Sequence, residues 1–207
     1  MILADERVVP YEHADSNARL ITETIASSPL PLTEENFIWM SYDDKQLDEM
    51  VVNVKEISQD YSQKITTILQ GERNIDLCLL GMGEDGHTCS LFPVNLHTDL
   101  EDKNSLVSFV TNSPKAPPTR ITLTYYALNE RSTECVFAAC GSGKNTVLQE
   151  VFKLTNDSGS DEITGSGTFS AEVREGAQQT RPCSLIAGGN LSTKWVVDLD
   201  AARGIKK

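Results

Sequence analysis

Residues 75–93 read Ile75-Asp76-Leu77-Cys78-Leu79-Leu80-Gly81-Met82-Gly83-Glu84-Asp85-Gly86-His87-Thr88-Cys89-Ser90-Leu91-Phe92-Pro93. A short apolar run breaks into three glycines, two acids and a histidine, and a proline closes the segment. The run at 77–80 predicts a fully buried strand, because a continuous apolar stretch bounded by glycine offers no polar face. Gly81, Gly83 and Gly86 permit positive φ and close approach of the backbone to a ligand. In a parallel sheet, ligands bind where loops leave the carboxyl ends of strands. Asp85 and His87 are therefore expected at the mouth of a site. The three glycines also satisfy the dinucleotide spacing G-x-G-x-x-G, which requires a long crossover helix immediately afterwards. Pro93 and the polar run at 95–104 follow instead, so that reading is set aside.

Upstream, Leu47, Met50, Val51, Val54, Ile57, Tyr61, Ile65, Ile68 and Leu69 recur at spacings of three and four. They predict an amphipathic helix over 45–70, ending at Gly71 and leading into the strand as a βαβ unit. The first ten residues read as a strand, and Asp15 as the N-cap of a helix with an apolar face of Ala18, Ile21 and Ile25. Downstream, strands are expected at 106–111, at 121–124 beyond the prolines of 114–118, at 134–140 and at 195–198. A short helix is expected at 181–186. The polar, Gly/Ser/Thr-rich stretch beginning at Thr155 predicts a mobile surface loop over 155–175. Together these describe one α/β domain over 1–207: a three-layer, mostly parallel Rossmann-like sheet flanked by helices.

The turn Gly141-Ser142-Gly143-Lys144 opens a helix. It is not a P-loop, since Ala138 stands at the required first glycine and Asn145 at the required Ser/Thr. A glycine turn at a helix N-terminus can still bind one phosphate through backbone N–H groups and a lysine. Thirty acidic and eighteen basic residues give a net charge of −12. This excludes a nucleic-acid surface, which needs a basic patch, and requires a site for an anion to gather its cations locally. The five cysteines, at 78, 89, 135, 140 and 183, are odd in number and lack metal-ligand spacing. They read as free thiols, and with only three histidines no zinc site is expected. The chain shows neither a bilayer-spanning apolar stretch nor a signal peptide at Met1, so a cytosolic protein without membrane association is expected.

The string from Leu80 to Pro93 resembles the signature of the glucosamine-6-phosphate isomerase/6-phosphogluconolactonase family. On the deaminase branch the histidine is typically followed by Ile-Ala-Phe-Asn-Glu-Pro. Thr88-Cys89-Ser90-Leu91-Phe92-Pro93 instead resembles the lactonase branch, in which Ala is usual at the Cys89 position. Further segments are similar to that branch: Asp5-Glu6-Arg7-Val8-Val9-Pro10, Asp15-Ser16-Asn17, the proline-stiffened stretch from Ser113 to Leu123, Gly141-Ser142-Gly143-Lys144, and Trp195 with Asp198. The resemblance covers nearly all of the chain. The family's opening helix, strand and Ser-Gly-Gly loop find no counterpart in it, so an N-terminally incomplete member is expected.

The resemblance implies hydrolysis of 6-phospho-D-glucono-1,5-lactone in the oxidative pentose phosphate pathway, with no redox cofactor or metal. His87 would take a proton from water, as a residue titrating near neutrality can. Asp85 or Glu84 would orient its ring. Backbone N–H groups of the turn at 81–86, Gly83 and Gly86 among them, would face the oxyanion. Arg7 and Lys144 would hold the phosphate, with Arg120 third; Lys115 reads as a solvated charge. A packed small side chain is expected of Cys89. The alternative is a catalytically silent or truncated homologue that at most binds sugar phosphate or a protein partner. A deaminase or isomerase is disfavoured by residues 88–93.

Overall fold

The loop between the strands near 110 and 120 decides part of the architecture. It is too short for a crossover, so its two strands must pair antiparallel. The computed structural model describes residues 1–40, 53–70, 74–93, 104–156, 181–186, 193–203 and 205. Among them are six strands: β1 (Asp5–Arg7), β2 (Ile75–Gly81), β3 (Val107–Val110), β4 (Arg120–Leu123), β5 (Ser132–Ala139) and β6 (Thr193–Val197). Four α-helices accompany them: α1 (Asn17–Ala26), α2 (Val54–Leu69), α3 (Tyr125–Asn129) and α4 (Asn145–Asn156). Short 3₁₀ turns lie at Glu34–Asn36, Ser142–Lys144 and Pro182–Leu185.

The strands form two three-stranded sheets. One is parallel, in the order β2-β5-β6, and the other is antiparallel, in the order β1-β4-β3. Among the described residues, the expectation of a mostly parallel sheet is met in part. The α/β class with a parallel sheet stands, but half the named strands pair antiparallel. The turn between β3 and β4, with a cis Ala116–Pro117 peptide, forces that pairing. Helix α2 leads into β2 and packs on the antiparallel sheet. There the Tyr61 hydroxyl accepts from Leu3 N at 2.7 Å, and Ser62 Oγ accepts from Leu106 N at 3.3 Å.

Helix α2 begins at Val54, and the predicted portion at 45–52 lies outside the described residues. The predicted loop over 155–175 starts two residues late, because Thr155 and Asn156 complete α4; the rest of it also lies outside the described residues. The cap of α1 is Ser16 rather than Asp15, its side chain accepting from Arg19 N at 3.1 Å. The buried Glu6 carboxylate satisfies two further N-terminal amides, Asn17 N at 2.8 Å and Ala18 N at 2.7 Å. Four such donors are orphaned at any helix start.

The core joins both sheets through Tyr61, Leu80, Leu91, Ile121, Leu123, Leu128, Phe137, Leu148 and Val151, all nearly inaccessible. On β5 and β6, Phe137 stacks on Trp195 with ring centroids 4.2 Å apart, and Phe152 meets the same indole edge-on. Strand β2 departs from the reading of 77–80 as fully buried. Cys78 and Leu80 point inward, whereas Leu77 and Leu79 are 49% and 72% exposed. Among the described residues β2 pairs only with β5, so it is an edge strand. Its open face borders an apolar cavity of about 720 Å³ lined by Ile2, Ile21, Ile38, Ile65 and Leu77, among others.

Candidate active site

Parallel strands β2, β5 and β6 direct their carboxyl ends to one side of the sheet. There the loop after β2, the turn after β5 and Asp198 after β6 meet. Glycine allows the first of these to fold back on itself. Gly83 N donates to His87 O at 2.8 Å and Gly86 N to Gly83 O at 3.0 Å, and Gly86 takes a φ of 78°. A Cβ on Gly83 would lie 2.1 Å from His87 Nδ1 and 2.6 Å from Asp85 Oδ1. Real Cβ atoms do not approach so closely, so the imidazole rests on a position that only glycine can occupy.

The ring is thereby delivered to Asp85. His87 Nδ1 and Asp85 Oδ1 are 2.5 Å apart, and the same oxygen accepts from His87 N at 3.2 Å. An ionised carboxylate only accepts, so the proton of the neutral imidazole sits on Nδ1 and Nε2 is left as the acceptor. Among the described residues no hydrogen bond is made to Nε2. Burial, opposed by Asp85 and reinforced by the Lys115 charge, brings His87 below the ordinary 6.5. Burial raises Asp85, but the hydrogen bonds and charge of His87, with Lys115, outweigh it and leave the carboxyl below 3.8. The pair therefore rests at neutral pH as carboxylate and neutral imidazole. That is the state in which Nε2 can remove a proton from water.

Around this pair the chain gathers cations. Arg7 and Arg120 face each other in the β1–β4 register, a like-charge juxtaposition that is costly unless anions lie near. Asp5 and Asp15 supply such charge to Arg120, whose own pKa is lowered by burial and then by Arg7. The Arg120 guanidinium, on a residue only 3% exposed, donates to the carbonyls of Lys115, Ala116 and Pro117. It thus holds the cis-proline turn, and with it Lys115, beside the histidine. Arg7 Nη1 donates to Asp15 O at 2.8 Å. Phe92, fully buried, touches His87 with centroids 4.6 Å apart and carries the Arg120 cation 5.6 Å from its ring centre. His87, Phe92, Arg120 and Arg7 therefore form one continuous series.

The turn after β5 completes the opposite wall. A Cβ on Gly143 would lie 3.2 Å from Glu84 Oε1, which places Glu84 at this turn rather than on the imidazole. Lys144 ends the 3₁₀ turn and precedes α4. The amide of Gly141 does not face a ligand; it donates to both Asp198 oxygens at 3.0 Å. Those bonds, with that from Ala201 N, draw the Asp198 pKa down.

Of the residues singled out from sequence, the structure joins His87 to Asp85, links Arg120 to the ring through Phe92 with Arg7 opposite it in the strand register, and puts Lys144 at the end of the turn that meets Glu84. Gly83 and Gly86 turn their amides into the loop itself, so they act by permitting close packing rather than by donating to an oxyanion. Burial pushes the Cys89 thiol well above 9.0, which keeps it protonated. Sequence reading missed Phe92, although it lies within the quoted signature, and Arg181, whose contact in the loop, Asp85, is 96 positions away. Among the described residues no group of three or more His, Cys, Asp or Glu side chains is disposed to hold a metal.

A histidine–carboxylate pair at the carboxyl end of a parallel strand, with Arg120 reached through Phe92, sits in a protein of the α/β class. The chain belongs to the family described as glucosamine-6-phosphate isomerases/6-phosphogluconolactonase, whose model matches residues 1–195. It is 38% identical to the 6-phosphogluconolactonase of Homo sapiens over 151 residues, 72% of this chain and 54% of that protein. It is 35% identical to 6-phosphogluconolactonase 3 of Saccharomyces cerevisiae over 155 residues, 74% of this chain and 59% of that protein. The chain thus spans little more than half the length of the curated relatives it matches. Among solved structures it is similar to 6-phosphogluconolactonase from Thermotoga maritima, with a TM-score of 0.65 and 28% identity, over 95% of this chain and 71% of that one. The fold alone is shared with the enzyme from Trypanosoma cruzi, with a TM-score of 0.73 and 20% identity, over 99% of this chain and 72% of that one.

Proposed function

We propose that this chain hydrolyses 6-phospho-D-glucono-1,5-lactone to 6-phosphogluconate in the oxidative pentose phosphate pathway. The observation that carries this reading is the His87–Asp85 pair at 2.5 Å, with Nδ1 fixed as donor and Nε2 open. His87 Nε2 removes a proton from water as the oxygen attacks the lactone carbonyl. Asp85 accepts from Nδ1–H and offsets the charge that develops on the imidazole. Collapse of the tetrahedral adduct breaks the ring C–O bond, and the imidazolium returns its proton to the departing alkoxide. Lys144 and Arg7 hold the phosphate, and the Lys115 cation stands beside the reacting centre. Arg120, already committed to three carbonyls, supports from behind and adds long-range positive charge. Neither metal nor redox cofactor enters these steps.

No helix among the described residues is long and apolar enough to cross a membrane. The net charge of −12 favours a small anionic substrate over nucleic acid, and cytoplasmic residence fits the proposed pathway. A second reading, a homologue that binds sugar phosphate without turning it over, is favoured by β2, the strand that carries the loop, which among the described residues pairs only with β5. Hydrolysis of freshly generated lactone above the spontaneous rate, lost in His87→Ala, supports the first reading. Binding of 6-phosphogluconate without turnover by the folded chain supports the second.

A further inference from the structure

Two carbonyls of the catalytic loop are held from outside it, by a segment 95 or more residues away. Arg181 Nη1 donates to Asp85 O at 3.0 Å, and Cys183 N donates to Gly86 O at 3.0 Å. The arginine's aliphatic stem lies against Gly86: a Cβ there would meet Arg181 Cδ at 2.8 Å and Cβ at 2.9 Å. The guanidinium is oriented in turn by Glu150 of α4, which accepts from Nε at 2.8 Å and from Nη2. The Arg181 carbonyl is fixed as well, accepting from Ser184 N at 2.8 Å and from its hydroxyl at 2.7 Å. The side chain is 20% exposed. A charged fork so enclosed, with its anion on one side and a loop carbonyl on the other, has little freedom to move.

We infer that Arg181 is a positioning residue for the catalytic pair, a clamp that fixes the Asp85–Gly86 peptide and hence the Asp85 carboxylate against the His87 ring. It touches no reacting atom. The same fork ties the loop to α4, the helix that begins directly after Lys144, so the base and the proposed phosphate contact are held in one frame. Three features converge on this assignment. Among the described residues the strand that carries the loop pairs on one side only, with β5. Its glycines, required for the close approach of ring and backbone, leave it intrinsically flexible. The carbonyl that Arg181 holds belongs to the residue whose carboxylate accepts from His87. Arginine suits the task where lysine does not, because one planar fork can serve Glu150 and the Asp85 carbonyl at once.

The role in turnover rests on the lactonase reading, whereas the positioning itself does not, and two readouts separate them. The chain has only three histidines, His13, His87 and His97, so proton NMR of the imidazole Cε1–H resonances, with His87→Ala for assignment, follows His87 directly. The groups acting on it are Asp85, Lys115 and Asp5, and burial is the largest influence, holding it below 6.5. Releasing the loop relaxes both the burial that lowers the ring and the Asp85 contact that raises it, and burial is the larger of the two. Arg181→Ala is therefore expected to move the His87 midpoint up toward 6.5, while Arg181→Lys, which keeps the charge but not the fork, recovers only part of the wild-type value. If the chain turns the lactone over, Arg181→Ala lowers kcat between about ten- and a hundred-fold, the scale of a misplaced catalytic group, with KM nearly unchanged. Should Arg181→Ala fail to fold by far-UV circular dichroism, Glu150→Gln removes the orienting anion while leaving the arginine, and a smaller rise of the midpoint is expected. A His87 titration in the folded variant that superimposes on wild type overturns the positioning role, whether or not the chain hydrolyses lactone. Absence of lactone turnover in wild type with a displaced titration in the variant overturns the lactonase reading and leaves the clamp standing.

Discussion

His87 works within limits set by the atoms beside it, and those limits give measurable numbers. Its pKa lies below the ordinary 6.5 because burial disfavours the imidazolium more than Asp85 favours it. Neutral imidazole is the active form in the proposed mechanism, so kcat/KM is expected to be flat near pH 7 and to fall as pH drops through a single ionisation below 6.5. Measurement of kcat/KM from pH 5 to 8, before spontaneous lactone hydrolysis dominates at higher pH, checks this; an acidic limb above 6.5 contradicts it. Asp85→Asn removes the charge that raises His87, so the limb moves to still lower pH while the plateau rate falls. Gly83→Ala puts a methyl 2.1 Å from Nδ1 and must displace the ring. A loss of about a hundred-fold in kcat is expected, the scale of a roughly 1 Å displacement, with the far-UV spectrum preserved. Much of this was legible in the signature itself, since the histidine, the acid two positions before it and the glycines are contiguous. The amide donors were not. Whether a glycine N–H faces a ligand or a carbonyl of its own loop depends on how the turn closes, and here Gly83 N and Gly86 N close it.

At the scale of elements, β2 shows where periodicity stops being informative. Four apolar residues in succession are consistent with burial on both faces, yet Leu77 and Leu79 face outward because, among the described residues, nothing packs over them. A run of apolar residues records that a strand can be covered, not that it is. The consequence is a contrast in mutational cost. Leu79→Thr is expected to change stability by no more than about 0.5 kcal/mol, as for an exposed site. Phe137→Ala on β5, which empties the stack against Trp195, is expected to cost about 3–5 kcal/mol. Urea denaturation of both variants checks the pair of values, and comparable costs would mean that the outer face of β2 is covered in solution. The antiparallel sheet escaped prediction for a related reason. Strands near 106–111 and 121–124 were expected, the second from its alternation, but their direction follows from the intervening loop, which is too short for a crossover. The cap of α1 slipped by one residue, from Asp15 to Ser16, because Glu6 already fills the neighbouring amides; no local pattern reveals a partner eleven positions upstream.

For the molecule as a whole, the two sheets divide the labour. The parallel sheet delivers the base loop, the glycine turn and Asp198 at one set of strand ends. The antiparallel sheet contributes Arg7 and Arg120 face to face. In a chain of net charge −12, this gathers cations on the side where the proposed function puts the phosphate. Lys144→Ala and Arg7→Ala are accordingly expected to raise KM for the lactone at least several-fold with little change in kcat, as when binding common to ground and transition states is lost. Steady-state kinetics of the two variants tests this, and unchanged KM in both would remove the phosphate assignment. The family was legible from fourteen contiguous residues. The contacts that hold them in place, from Arg181 in particular, bridge nearly a hundred positions and carry no local signal. Most direct of all is the rate at which the 207-residue chain hydrolyses freshly generated 6-phosphogluconolactone, corrected for the spontaneous reaction, with His87→Ala measured alongside. A rate above background that falls by about a hundred-fold or more in the variant is the expected result. A folded chain with no rate above background, or a variant as active as wild type, would contradict a catalytic role for the His87–Asp85 pair.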